Sequence, residues 1–146
     1  MYAHILISTD GSELSNKALV EGASLAKQLG ANVTIVTAVA TQEPEFVEDE
    51  LIGPDQRELQ EIAQNEAKQI LASAKQIVES AGVSCRTVSA IDRRPYEAIL
   101  DTADSNGCDL IVMASHGRSG IGALLIGSET QKVLTHGKLP VLVHRA

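Results

Sequence analysis

Aromatic and basic side chains are scarce in this chain of 146 residues, which has two Tyr, one Phe and no Trp. So few rings exclude the stacking platforms that single-stranded nucleic acids use, and they leave an aliphatic core. The 12 Lys and Arg residues are outnumbered by 19 Asp and Glu, which gives a formal net charge of −7. Because no run of basic residues occurs, we expect no nucleic-acid partner and no membrane partner.

Cysteine and long apolar runs are also scarce. Cys85 and Cys108 lie far apart and lack C-x-x-C spacing, which favours two small buried thiols over a metal or redox motif. The run at residues 4–9 ("HILIST") is too short for a signal-peptide core, and no run approaches the length of a membrane span. We therefore expect a cytoplasmic protein.

Short β-branched runs alternate with amphipathic segments along the chain. Strands are predicted at residues 4–8, 32–40, 83–90, 108–115 and 139–144, and helices at 12–29, 55–81, 94–107 and 128–137. This βαβαβαβαβ order predicts an α/β fold over residues 1–146: a single doubly wound domain with a five-stranded parallel sheet and helices on both faces. The polar third strand suits a sheet edge. The acidic stretch between the second strand and second helix is predicted as a solvated loop.

Ligands of open α/β sheets bind beyond the carboxyl ends of the strands, where the strand order reverses. Two strand exits, meaning the segments that follow the end of a strand, carry suitable residues. They are Ser8 to Ser12 after the first strand, and residues 114–128 ("ASHGRSGIGALLIGS") after the fourth. Asp10 has two interpretations. Its carboxylate either accepts hydrogen bonds from a ribose or base, or holds a metal, or it simply belongs to an Asp-Gly turn.

The glycine-rich stretch ends on a helix start. Ser128 and Gln131 have the spacing of a capping box, and a helix N-terminus after glycines favours a phosphate group. Arg118 would add a positive charge. A purely structural connection remains the alternative, because the two common phosphate motifs, G-x-x-x-x-G-K-[ST] and G-x-G-x-x-G, are absent.

Two stretches together closely resemble the universal stress protein family: residues 114–128 with the helix and strand that follow, and "ILISTDGSELSNKAL" at residues 5–19. The nucleotide motif of that family, G-x2-G-x9-G-[ST], reads here as Ala114-x2-Gly117-x9-Gly127-Ser128, with alanine in place of the first glycine. The resemblance covers the whole chain. It implies the strand order 3-2-1-4-5, which sets the exits of strands one and four side by side.

The resemblance also implies an ATP site, or one for AMP or ADP, with Mg²⁺ held through the phosphates and Asp10 or Glu129 as the candidate carboxylate. The backbone of Ala38 would meet the adenine, and Asp10 would lie near the ribose. The implied nucleotide-binding residues are Ser8, Thr9, Asp10, Ala38, Ala114, Ser115, His116, Gly117, Arg118, Gly127, Ser128, Glu129 and Thr130. A homodimer would form through the last strand, Pro140 to His144.

The expected function is that of an adenine-nucleotide-binding stress-response or signalling protein, which acts through nucleotide-linked conformation or partner binding. One alternative is weak ATP hydrolysis, for which Asp10, His116 and Glu129 are the candidate bases. The other is a dimeric scaffold that binds no nucleotide. We assign no catalytic residue, and the remaining histidines lack the spacing of a zinc site.

Overall fold

The computed structural model describes residues 1–41, 55–117 and 126–145. Strands and helices alternate along these residues, and each predicted element is present with its ends displaced by at most two residues. The elements are β1 (His4–Ser8), α1 (Glu13–Leu29), β2 (Asn32–Val39), α2 (Gln56–Ser80), β3 (Cys85–Ile91), α3 (Pro95–Ser105), β4 (Leu110–Ala114), α4 (Ser128–His136) and β5 (Val141–His144).

The five strands form one parallel sheet in the order β3-β2-β1-β4-β5. Ile5 of β1 pairs with Val33 of β2 on one side and with Leu110 of β4 on the other. The predicted strand order is therefore confirmed, and so is the edge position of the polar strand β3.

Helices cover both faces of the sheet because neighbouring side chains of a strand point to opposite faces. Ile5 and Ile7 pack with α1 and α2, whereas Leu6 between them packs with α3 and α4. All three side chains are fully buried. The sheet is thus a central layer between two aliphatic cores, which leaves the strand ends as the place for a ligand.

Local signals fix the helix ends. The Ser12 hydroxyl caps α1 by accepting a bond from the Ser15 N–H at 3.2 Å. Gly30 ends α1 in the left-handed conformation, with φ of 66°, which glycine adopts without strain. Asp55 caps α2 in the same manner as Ser12. None of the helices within the described ranges is long and apolar enough to cross a membrane.

Asp109 fastens the start of β1 to the start of β4. Its carboxylate accepts bonds from the N–H groups of Ala3 at 2.8 Å and His4 at 3.0 Å. The N–H of Ala3, together with that of His4, lowers the pKa of Asp109 below its usual 3.8. This carboxylate therefore stabilises the fold in its charged form.

Both cysteines are free thiols. Cys108 is buried, and burial raises its pKa from 9.0 to about 11, with the nearby Asp109 charge adding to the effect. Cys85 is half-buried, and burial raises its pKa as well. Because the thiolate is the reactive form, these environments make both side chains structural.

Candidate functional site

A cleft of about 900 Å³ lies at the carboxyl ends of β1, β2 and β4. β1 stands between β2 and β4 in the sheet. The chain leaves β1 for α1 on one face and leaves β4 for α4 on the other. The cleft therefore opens where the winding of the sheet reverses, which is the usual ligand position in this architecture.

The turn after β1 is held by bonds among its own residues. Oδ1 of Asp10 accepts a bond from the Ser12 N–H at 2.9 Å, and the Thr9 hydroxyl accepts one from the Gly11 N–H at 3.2 Å. Gly11 has φ of 80°, a conformation that side chains disfavour. Asp10 thus stabilises the turn, as its Asp-Gly sequence predicts, and it also lines the cleft.

Asp10 meets the exit of β4 at Gly117. A Cβ atom built on Gly117 would overlap Oδ2 of Asp10, so the close approach of the carboxylate depends on the missing side chain. The structure therefore brings together the two exits that the sequence singled out.

The first turn of α4 borders the same cleft. Gly127 is the N-cap and Ser128 is the first helical residue, and within the described part of the chain no side chain caps this helix. The predicted capping box was wrong by one position. The Gln131 side-chain amide instead donates to the carbonyl of Ile126 at 3.0 Å.

Thr130 fastens α4 to the end of β4. Its side chain is buried, and its hydroxyl donates to the carbonyls of Ala114 at 3.0 Å and Ser115 at 3.2 Å. The Gly127 N–H donates to the same Ser115 carbonyl at 2.6 Å. The helix start is therefore held rigidly against the strand that precedes it.

Glu129 joins α4 to α3. Its Oε2 accepts a bond from the backbone N–H of Tyr96 at 3.0 Å, in the first turn of α3, and its Oε1 lies 3.5 Å from the ammonium of Lys132. A negative charge at a helix N-terminus is favourable. The carboxylate is therefore engaged by a helix dipole and a cation, although its side chain lines the cleft.

The end of β2 directs backbone groups toward the cleft. The Val36 carbonyl accepts a bond from the Thr9 N–H at 3.0 Å, so the Val36 backbone faces β1. The backbone groups of alternate residues in a strand face the same side, so those of Ala38 and Ala40 also face β1. Because β1 ends at Ser8, these groups open onto the cleft, which both alanines line.

Most of the residues predicted as nucleotide-binding line the cleft, namely Ser8, Thr9, Asp10, Ala38, Ala114, His116, Gly117, Gly127, Ser128, Glu129 and Thr130. Ser115 is buried, and its hydroxyl lies 3.1 Å from Nδ1 of His116. Arg118 lies outside the described residues, as do Gly120 and Gly122.

Sequence reasoning missed the walls of the cleft. They come from the ends of β2 and β4, from α1, α2 and α3, and from the residue before the N-cap of α4. The residues are Ser15, Val39, Ala40, Glu66, Ile70, Pro95, Ile99, Met113 and Ile126. Among the helical members, Ile70 has the periodicity of a core residue, and periodicity does not tell which turn of a helix reaches a sheet end.

No group of three or more His, Cys, Asp or Glu side chains that could hold a metal occurs among residues 1–41, 55–117 and 126–145. The two carboxylates predicted as Mg²⁺ candidates, Asp10 and Glu129, both line the cleft. A magnesium ion usually takes only one or two protein carboxylates and completes its shell with phosphates and water. The donor set thus fits an ion that arrives with a phosphate ligand.

The sheet order and the cleft define a doubly wound α/β protein with a ligand site at its switch point. The model of the universal stress protein family matches residues 1–145. The chain therefore belongs to the universal stress protein family.

Several relatives match along nearly their whole length. A universal stress protein of Thermus aquaticus is 33% identical over 145 residues, covering 99% of this chain and 100% of that protein. The structure of protein MJ0577 of Methanocaldococcus jannaschii is 29% identical with a TM-score of 0.82, covering 100% of this chain and 97% of that one. A universal stress protein in complex with cAMP is 26% identical with a TM-score of 0.73, covering 99% of each chain.

Proposed function

We propose that this protein is one nucleotide-binding domain over residues 1–146, which binds an adenine nucleotide in the cleft. ATP with Mg²⁺ is the first candidate ligand. The protein would act in a cytoplasmic stress response, through a nucleotide-linked change in conformation or in partner binding. The family and the relative in complex with cAMP support an adenine nucleotide. The observation that carries the proposal is that one cleft combines apolar side chains with a helix start that no side chain of the described residues caps.

The cleft has apolar walls that suit a purine base. Ile70, Ile99 and Met113 line it, and such walls favour a flat apolar ring. The backbone groups of Ala38 and Ala40 face the same space from the end of β2. A strand edge offers one N–H donor and one carbonyl acceptor, which match the ring nitrogen and the amino group of adenine.

The end of the cleft that α4 borders suits phosphate. The first turn of α4 leaves backbone N–H groups without intrahelical partners, and Gly127 keeps the approach to them free of a side chain. The partial positive charge of the helix start favours an anion. Gly117 likewise presents bare backbone at the cleft. This end would hold the ribose and phosphates.

Binding is favoured over hydrolysis because the candidate bases have structural partners. Glu129 is engaged by α3 and Lys132, and Asp10 by its own turn. Nδ1 of His116 lies 3.1 Å from the Ser115 hydroxyl. A general base must reach the attacking water with an available lone pair. We therefore assign no catalytic residue.

The direct experiment is mass spectrometry of the nucleotide released when the purified protein is denatured, together with thermal unfolding in ATP, ADP, AMP and cAMP, each with Mg²⁺. We expect adenine nucleotides to raise the melting temperature and GTP to do so less. A flat melting temperature at millimolar ATP, with no released nucleotide, would favour the scaffold alternative. Steady phosphate release that Asp10→Ala or Glu129→Gln abolishes would favour the enzyme.

We also propose a homodimer through β5, which lies at an edge of the sheet. The carbonyls of Pro140 and His144 accept bonds from residues of the β4 side, so the backbone of Val143 faces outward. Val143→Pro removes an outward N–H and should yield monomers in light scattering without unfolding the chain. Leu142→Pro, which removes a bond to β4, should lower stability instead. An unchanged mass for Val143→Pro would contradict this interface.

A further inference from the structure

Asp92 holds the end of β2 from the neighbouring strand. It follows the last residue of β3, and its backbone has φ of 56°, the left-handed region that few residues other than glycine adopt. Its N–H donates to the Val39 carbonyl at 3.0 Å. Its Oδ1 accepts bonds from the Thr41 N–H at 2.7 Å and from the Thr41 hydroxyl at 2.9 Å.

The bond from the Thr41 N–H continues the ladder between β2 and β3 by one hydrogen bond, which a side chain accepts in place of a backbone carbonyl. In a parallel ladder the residue that donates to Val39 would next accept the Thr41 N–H with its own carbonyl. The left-handed backbone turns the chain of Asp92 away toward α3, and the carboxylate takes the place of that carbonyl. Residues 39 and 41 are therefore both held toward β3.

Ala40 lies between these two fixed points. Because backbone groups alternate along the strand, fixing Val39 and Thr41 toward β3 turns the groups of Ala40 toward the cleft. Asp92 itself is solvent exposed and is not among the residues that line the cleft. Any effect of Asp92 on a ligand must therefore act through this backbone.

We propose that Asp92 is a positioning residue, which orients the backbone at residues 38–40 so that the cleft selects adenine over other purines. This inference rests on the proposed function, because it assumes that the base binds at the end of β2. Adenine offers an acceptor ring nitrogen and a donor amino group. Hypoxanthine, the base of inosine nucleotides, has a ring N–H donor and a carbonyl acceptor at the same positions. A well-placed strand edge therefore binds adenine and rejects hypoxanthine.

The test compares the dissociation constants of ATP and ITP, each with Mg²⁺, for the full chain and three variants. Asp92→Gly keeps the left-handed backbone but removes the carboxylate, and we expect the preference for ATP over ITP to fall about fivefold, the value of one hydrogen bond. Asp92→Asn retains the Oδ1 acceptor and tolerates positive φ, so it should restore the preference.

Thr41→Val is the matched control. It removes the hydroxyl bond but keeps the N–H bond to Asp92, so the preference should stay within about twofold of the starting value. The melting temperature of each variant is recorded without ligand, because a merely structural role would lower stability and leave the ratio of the two affinities unchanged. Asp92→Ser, whose hydroxyl is one bond shorter, replaces the glycine variant if that one does not fold.

The inference is overturned if the ratio of the ATP and ITP dissociation constants is unchanged in Asp92→Gly. It is also overturned if Asp92→Asn loses as much of the preference for ATP as Asp92→Gly does. A starting protein that binds neither nucleotide refutes the proposed function, and the inference falls with it. A starting protein that prefers ATP, with a preference that survives in Asp92→Gly, leaves the proposed function intact and refutes the inference alone.

Discussion

Replacing Gly127 by alanine should weaken nucleotide binding while leaving the fold largely intact. Gly127 has φ of −61° and ψ of 156°, which any residue adopts, so the substitution introduces no backbone strain. An added Cβ lies 3.2 Å from Cα and Cβ of His116 and from the carbonyl oxygen of Ser115. These neighbours must shift by a few tenths of an ångström, which costs about 1 kcal/mol.

The shift displaces Ser115 and His116, which lie beside the start of α4 at the phosphate end of the cleft. Moving the residues around His116 away from the first turn of α4 removes at least one hydrogen bond to a charged ligand, worth about 1.5–3 kcal/mol. Each 1.4 kcal/mol is about a factor of ten in affinity. The expected increase in the dissociation constant of ATP is therefore about tenfold to hundredfold.

Gly137 provides the matched control at the other end of α4. It also has an extended backbone, with φ of −89° and ψ of 167°, and an added Cβ would lie 2.7 Å from the carbonyl oxygen of Val133 and from Leu100. Gly137→Ala should therefore lower stability more than Gly127→Ala, by about 1–3 kcal/mol. It should leave ATP binding by the folded protein unchanged, because Gly137 is remote from the cleft.

Thermal unfolding with and without ATP separates a loss of nucleotide affinity from a loss of stability. ATP at one hundred times the starting dissociation constant stabilises by about 2.7 kcal/mol, and a tenfold weaker site at the same concentration gives about 1.4 kcal/mol. At about 3 °C per kcal/mol for a domain of this size, the shifts are about 8 °C and about 4 °C. The reasoning is refuted if Gly127→Ala keeps the full shift, or if Gly137→Ala loses as much.

Two further predictions concern the supports of the fold. Thr130→Val removes the hydroxyl that fastens α4 to β4, and in urea unfolding it should lower the free energy of unfolding by about 1–3 kcal/mol. Asp109→Asn should lower it by about 0.5–1.5 kcal/mol at pH 7. Because hydrogen bonds lower the pKa of Asp109 in the folded state below 3.8, its stabilisation is present above that pH and lost as the pH falls through the folded value. The difference should diminish as the pH falls below 3.8, and a constant difference would contradict this account.

The architecture was predictable because each element carries its own local signal. Apolar alternation and helix caps such as Ser12 and Gly30 marked the elements, and their order determined a parallel sheet. The strand order came from the resemblance, since pairing between strands distant in the chain leaves no local trace. The capping box at Ser128 failed because Gly127 is the N-cap and Ser128 is already helical, while the Gln131 side-chain amide donates to the carbonyl of Ile126.

The site was predictable only along the chain segments that form its rim. Asp10, Gly117 and Gly127 stand at strand exits and helix starts, where sequence motifs are informative. Ile70 and Ile99 have the periodicity of ordinary core residues, and only the packing of α2 and α3 against the sheet places them in the cleft. The part played by Asp92 depends on a left-handed backbone and a partner at Thr41, and neither has a sequence signal.

An acidic protein binds an anion only if the charge near the site is locally compensated. Three carboxylates line the cleft, those of Asp10, Glu66 and Glu129. Two of them accept a backbone N–H at the start of a helix: Asp10 from Ser12, the N-cap of α1, and Glu129 from Tyr96 in α3. These bonds place negative charge at the positive ends of two helices. Glu129 itself lies in the first turn of α4, but its carboxylate accepts the Tyr96 N–H of α3. The arrangement thus directs the carboxylates of Asp10 and Glu129 to the starts of α1 and α3, which leaves the first N–H groups of α4 for a phosphate.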